Sequence, residues 1–263
     1  RLLNSYVESG IPVAVGMDDF GEVNSQNIGH AVLIIGRTVP DEMDYKNLKA
    51  NVGMSVKQLT FLKTNQIEFC DCNNIDKSWV FIDDNHPPYQ IGKSDYPKTN
   101  YNANWSQVKF EHFVVPLYPK IYLESFEAQN FVRQFLFFGL FPLEPMQRVY
   151  MWFYLTSSRS FKHSLALSDV QDDLKSFILE KPMPKFVWIA ELSNPEQMKN
   201  QMRTGLLVID ATEPNISDNK PLIVAAYQNH LLFFDGDNDV LQKMALALQP
   251  FSLFINNLTP SEQ

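Results

Sequence analysis

Cysteine is nearly absent. Cys70 and Cys72 are the only two in 263 residues, too few and too close together to staple a fold through a disulfide framework. That usage suits a reducing compartment, and a cytoplasmic location is the expectation. Basic charge is also scarce: 22 Lys and Arg stand against 30 Asp and Glu, a net charge of −8. Such a balance argues against phosphate-backbone binding as the main business of the chain and excludes a general nucleic-acid binder. Long apolar runs are missing as well. The Phe-rich stretch from Phe131 to Phe141 is broken by Arg133 and Gln134, and it falls short of the ~20 residues a membrane span needs, so no membrane partner is expected. A signal-like opening is lacking too. Residue 1 is Arg and the chain runs at once into a helix-like stretch, which reads as the continuation of a longer polypeptide.

What is present is a large apolar inventory. Hydrophobic residues make up 45% of the chain, with 20 Phe, enough to bury a substantial core in one large or two ordinary domains. Leu2, Leu3, Tyr6 and Val7 share a helical face that Gly10 terminates. Residues 11–17 and 30–36 are short β-branched runs bounded by glycines, and they read as neighbouring buried strands. Further strands are expected at Gln58 to Leu62, Gln66 to Cys70, Ser78 to Asp83 and Phe110 to Tyr118, with Pro116 marking an edge or end. A helix from Ile121 to Gly139 then joins a second unit, with strands at residues 148–155, 185–191, 205–210, 222–227 and 230–234 and a helix over residues 160–180. This order is α+β. The expected division is residues 1–118, a connecting helix in 119–145, and an accessory α+β domain in 146–263.

The motifs Ser9-Gly-Ile-Pro-Val-Ala-Val15, Gly29-His-Ala-Val-Leu-Ile-Ile-Gly36 and Trp79-Val-Phe-Ile-Asp-Asp-Asn85 carry a resemblance over about the first 118 residues. They resemble the C-terminal half of the papain-like cysteine peptidase fold, in particular its bacterial branch of double-glycine leader peptidases. The resemblance implies a half-barrel of antiparallel strands in which a histidine opens one strand and a later apolar strand delivers its acidic partner. On that alignment His30 matches the catalytic histidine and Asp84 the residue that orients it, with Asp83 the near alternative. The chemistry needs those types: a thiol nucleophile requires an imidazole base, and the base requires a third group to fix its tautomer and ring plane. The family's cysteine lies well before the histidine, and none of the 29 residues preceding His30 is Cys. The nucleophile is therefore expected outside this chain, from an N-terminal segment or a partner chain. An apolar face beside His30 is expected to be left for that half to cover. The interval from His30 to Asp84 exceeds the short hairpin usual in the family and implies an inserted β-excursion.

Other candidates read more plainly. Cys70 and Cys72 have acidic neighbours, Glu68, Asp71 and Asp76, which do not favour a reactive thiolate. His86 and His112 lie on separate segments and no second Cys pair exists, so no metal and no cofactor is expected. Ser157 or Ser158 is a helix N-cap, with an anion-binding turn involving Arg159 as the functional alternative. Asp210-Ala-Thr212 is an Asx-type turn or the polar end of a cleft, and Asp235-Gly-Asp-Asn-Asp239 is a turn without the register of a calcium loop. The expected function is a fragment or relative of a papain-fold cysteine hydrolase acting on a peptide or isopeptide-like amide of a peptide or protein substrate. The alternative is a non-catalytic protein-interaction module on the same scaffold.

Overall fold

The structure, a computed structural model, describes residues 2–19, 29–38, 48, 68–75, 78–84, 89–92, 108–137, 148–214, 216, 220–235 and 238–252. The expected strand Gln58 to Leu62 lies outside them. The fold is α+β, mostly antiparallel, and divides into two units. The first comprises Arg1–Asn47 and Asn73–Pro119; the second comprises Leu48–Cys72 and Lys120–Gln263.

The first unit begins with helix α1 (Leu2–Glu8), which ends where Gly10 takes a φ of +70°, a conformation a residue with a Cβ adopts at a cost. Strands β1 (Val13–Asp19) and β2 (Gly29–Arg37) follow, the latter close to the expected 30–36. After the excursion through β3 (Glu68–Asp71) come β4 (Trp79–Ile82), β5 (Gln90–Gly92) and β6 (Val108–Val114). The antiparallel sheet runs β5-β4-β2-β1-β6. Its strands alternate: Val13, Val15 and Met17 are buried while Ala14 is exposed, and Val32 and Ile34 are buried while Ala31 and Leu33 are exposed. That period-two pattern is what a sheet covered on one face produces. Helix α1 packs on β1 and β2. Glu8 pairs with Arg37, and the Asn4 side chain donates to the Asn73 carbonyl.

On the other face, direct cross-strand partners form an exposed apolar row, Val114 beside Ala14, Ala14 beside Leu33 and Leu33 beside Ile82. The expectation placed such a surface beside His30. Side-chain alternation instead puts this row on the opposite face from His30, whose register neighbours Val32 and Ile34 point inward. Among the described residues, the exposed large apolar residue in register on His30's own face is Phe113, opposite Val15.

The second unit is built on a sheet ordered β13-β12-β11-β10-β8-β7-β3. Its members are β7 (Arg148–Ser157), β8 (Phe186–Ser193), β10 (Gly205–Asp210), β11 (Leu222–Tyr227), β12 (His230–Asp235) and β13 (Asn238–Ala245), while β9 (Met202–Arg203) and β14 (Phe251–Ser252) pair separately. Among the described residues all pairings are antiparallel except β3 with β7. Strand β3 thus joins the second unit, although its sequence position lies inside the first. Every residue of β8 is buried, the signature of a central strand covered on both faces. One face packs Tyr154, Ile189, Leu206 and Val224 against Phe161 and Leu165 of α3 (Ser158–Leu167) and Leu174 and Ile178 of α4 (Asp172–Glu180). On the other face, Arg133 of α2 (Ser125–Phe137) pairs with Asp71 at 3.1 Å and lies over Phe69, and Trp188 Nε1 donates to the Leu123 carbonyl at 2.8 Å. A short α5 (Pro195–Lys199) precedes β9.

The single helix expected over 160–180 is two helices. Ser168 turns its hydroxyl back to the Leu165 carbonyl at 2.6 Å, and both Asp169 carboxylate oxygens accept from Ser252 at 2.8 Å. Short polar side chains that satisfy backbone groups locally compete with helix continuation, and Val170 sinks into the core at the break.

Candidate functional site

Strand alternation assembles the site in the first unit. His30 occupies the inward-facing set of β2 with Val32 and Ile34. On β4, Phe81 is buried and Ile82 exposed, and Asp83, the first residue past the strand, is buried again. Because Leu33 pairs with Ile82 and Ile34 with Phe81, the next residue beyond the ladder comes beside Val32, diagonal to His30 on the same face. His30 Nε2 and Asp83 Oδ1 are 2.9 Å apart. The Asp83 side chain is fully buried and that of His30 is 17% exposed. Asp83, rather than the Asp84 that the alignment places first, therefore holds the ring. Asp84 is exposed in the turn after β4, as alternation requires of its neighbour. It nevertheless stays close: one ligand atom from each of His30, Asp83 and Asp84 lies within 4.8 Å of the others. Asn85 and His86 lie outside the described residues.

A histidine held this way has a defined chemistry. With Asp83 accepting the Nε2 proton, the neutral ring carries its lone pair on Nδ1, and that nitrogen is the one able to take a proton from a nucleophile. The buried carboxylate fixes the ring plane and stabilises the imidazolium once it forms.

The remaining candidates fall elsewhere. Cys70 and Cys72 are both buried and belong to the second unit. Asp71 between them is the buried partner of Arg133. His112 is exposed and 3.8 Å from Glu111; its ring lies over Gly16, where a Cβ would collide with it. Ser157 caps α3, accepting from the Ser160 amide at 3.0 Å. Lys162 donates to the Leu179 and Lys181 carbonyls, each at 2.7 Å. Asp210 Oδ1 accepts from both the amide and the hydroxyl of Thr212 at 2.6 Å, an Asx turn.

One polar constellation was not singled out from sequence. In the second unit Tyr154 donates to Glu191 Oε1 at 2.7 Å, Arg203 Nε approaches Glu191 Oε2 at 3.4 Å, and the Arg203 guanidinium stacks 3.4 Å from the Trp152 ring centroid. Burial pushes the Tyr154 phenol well above its ordinary range, the Glu191 charge adds to this, and Arg203 opposes it. The available signal was a lone carboxylate, Glu191, inside the otherwise apolar run Phe186-Val-Trp-Ile-Ala-Glu-Leu192. In a strand buried on both faces such a residue must find an internal partner.

No protein-family model, curated protein or solved structure matches this chain.

Proposed function

We propose that the first unit is the base-bearing strand half of a papain-like cysteine hydrolase, acting by acyl transfer on a peptide or isopeptide-like amide. The observation that carries this reading is the 2.9 Å contact of His30 Nε2 with the fully buried carboxylate of Asp83. In the reaction, a cysteine thiol from another segment or a partner chain gives its proton to His30 Nδ1, and the thiolate adds to the amide carbonyl. The imidazolium then protonates the leaving amine, and water, deprotonated by the same nitrogen, releases the acid from the thioester. Asp83 keeps the ring in the tautomer that permits both transfers. Neither Cys70 nor Cys72 is assigned the nucleophile's part, since both are buried in the other unit.

The second reading is a non-catalytic interaction module. The exposed row Val114, Ala14, Leu33 and Ile82 favours it, because contiguous apolar surface rimmed by polar residues marks contact with another protein.

Amide hydrolysis separates the two. The chain should be inert alone and should turn over peptide amides when combined with a cysteine-bearing helical segment that completes the cleft. His30→Ala should then lower kcat by about 10²- to 10⁴-fold. Turnover indifferent to His30→Ala, or no turnover with any such segment, would leave the module reading standing.

A further inference from the structure

We propose that His30, Asp83 and Asp84 also bind one divalent transition-metal ion, Zn²⁺ in preference to Mg²⁺ or Ca²⁺, and that its occupancy silences the base. The switching part rests on the function proposed above; the binding part does not.

In sequence, the two cysteines, His86 and His112 lack the spacing of a metal site. The fold brings together a different set. One ring nitrogen and two carboxylate oxygens, all within 4.8 Å of one another, come from the start of β2 and the turn that follows β4. Zinc bonds of about 2.0–2.2 Å place neighbouring tetrahedral ligand atoms about 3.3–3.6 Å apart. The 2.9 Å between His30 Nε2 and Asp83 Oδ1 must open slightly. Asp84 has to swing inward, which an exposed turn residue can do at little cost. The fourth position falls to water. The nitrogen donor sets the preference, because imidazole suits zinc-like ions while Mg²⁺ and Ca²⁺ favour all-oxygen sites. The fully buried Asp83 carboxylate favours a cationic neighbour in its low-dielectric surroundings.

Binding rearranges one proton. The ion takes the Nε2 lone pair, the ring proton stands on Nδ1, and the His30–Asp83 hydrogen bond gives way to two coordinate bonds. No proton is lost. With Nδ1 protonated, the ring has no lone pair to offer a thiol.

Calorimetric titration of the metal-stripped full chain with ZnCl₂ tests the site directly. One ion per chain is expected, with His30→Ala abolishing binding and Asp84→Asn, an exposed and fold-neutral change checked by circular dichroism, weakening it about 10-fold or more. No saturable binding, or binding that neither substitution alters, would overturn the site. The switch is read in the hydrolysis assay with the cysteine-bearing segment: saturating ZnCl₂ should suppress turnover and a chelator restore it. Turnover unaffected by bound zinc overturns the switch. Zinc binding in a protein that never hydrolyses amides supports the metal site and overturns the cysteine-hydrolase reading instead.

Discussion

At the scale of single residues, burial decides which polar groups act. Asp83 and Asp84 are adjacent and chemically identical, yet only one is hydrogen-bonded to His30, because the burial alternation of β4 continues into the two residues that follow it, Asp83 buried and Asp84 exposed. The same logic governs Tyr154, whose phenol is buried against Glu191. Its folded-state pKa is raised above the unfolded value, so the unfolded chain releases that proton first. The stability it contributes is present below the ordinary tyrosine range, about pH 10, and is lost as pH rises through the higher folded value. Tyr154→Phe should therefore lower stability by about 1–3 kcal/mol at neutral pH, since it leaves a buried carboxylate oxygen without its donor. It should also flatten the alkaline decline. Urea unfolding of both proteins from pH 7 to 11 checks this, and parallel curves would count against it.

At the scale of elements, the sequence patterns were legible where one face of a strand is wet. Residues 11–17 and 30–36 alternate and appear as β1 and β2 with boundaries within a few residues. The 160–180 segment was less so, because the Ser168 and Asp169 hydrogen bonds that divide it reach groups the apolar periodicity does not register. Close approach between strands is also invisible in a pattern of types. In β10, Gly205 pairs with Tyr227 on β11 and with Leu192 on β8. A Cβ there would press into the Tyr227 ring and come within 3.1 Å of Leu192 Cβ and 3.2 Å of the Ala226 carbonyl. Gly205→Ala should destabilise the protein by about 1–3 kcal/mol, the range for overpacking a filled core. Thermal unfolding measures it, and an unchanged or raised Tm would show that the ring yields freely.

At the scale of the whole molecule, the chain crosses between its units. Residues 48–72, which lie in sequence between two strands of the first unit, belong to the second. There β3 is the parallel partner of β7, and Asp71 meets Arg133. Asp71→Ala removes one partner of a buried ion pair, a change that costs about 3–5 kcal/mol. Amide hydrogen exchange should show protection lost first in β7 and β8 while β1 and β2 keep theirs. Equal loss in both sheets would mean that the two units unfold together. Among the described residues no helix is long and apolar enough to cross a membrane.

Composition and periodicity by themselves determined the α+β class and β1, β2, β4 and β6 of the first unit, while His30 and the pair Asp84 and Asp83 entered as candidates through the family resemblance of the motifs around them. They could do so because one-sided burial writes itself into alternating residue types. Three things only the tertiary structure decided: which aspartate faces the histidine, that β3 joins the second sheet, and that Tyr154, Glu191, Arg203 and Trp152 converge. Each depends on register between strands distant in sequence or on elements packed over both faces, and a one-dimensional pattern carries neither. The residue types at β8 announce that the strand is buried, but which partners receive its one carboxylate is settled by packing.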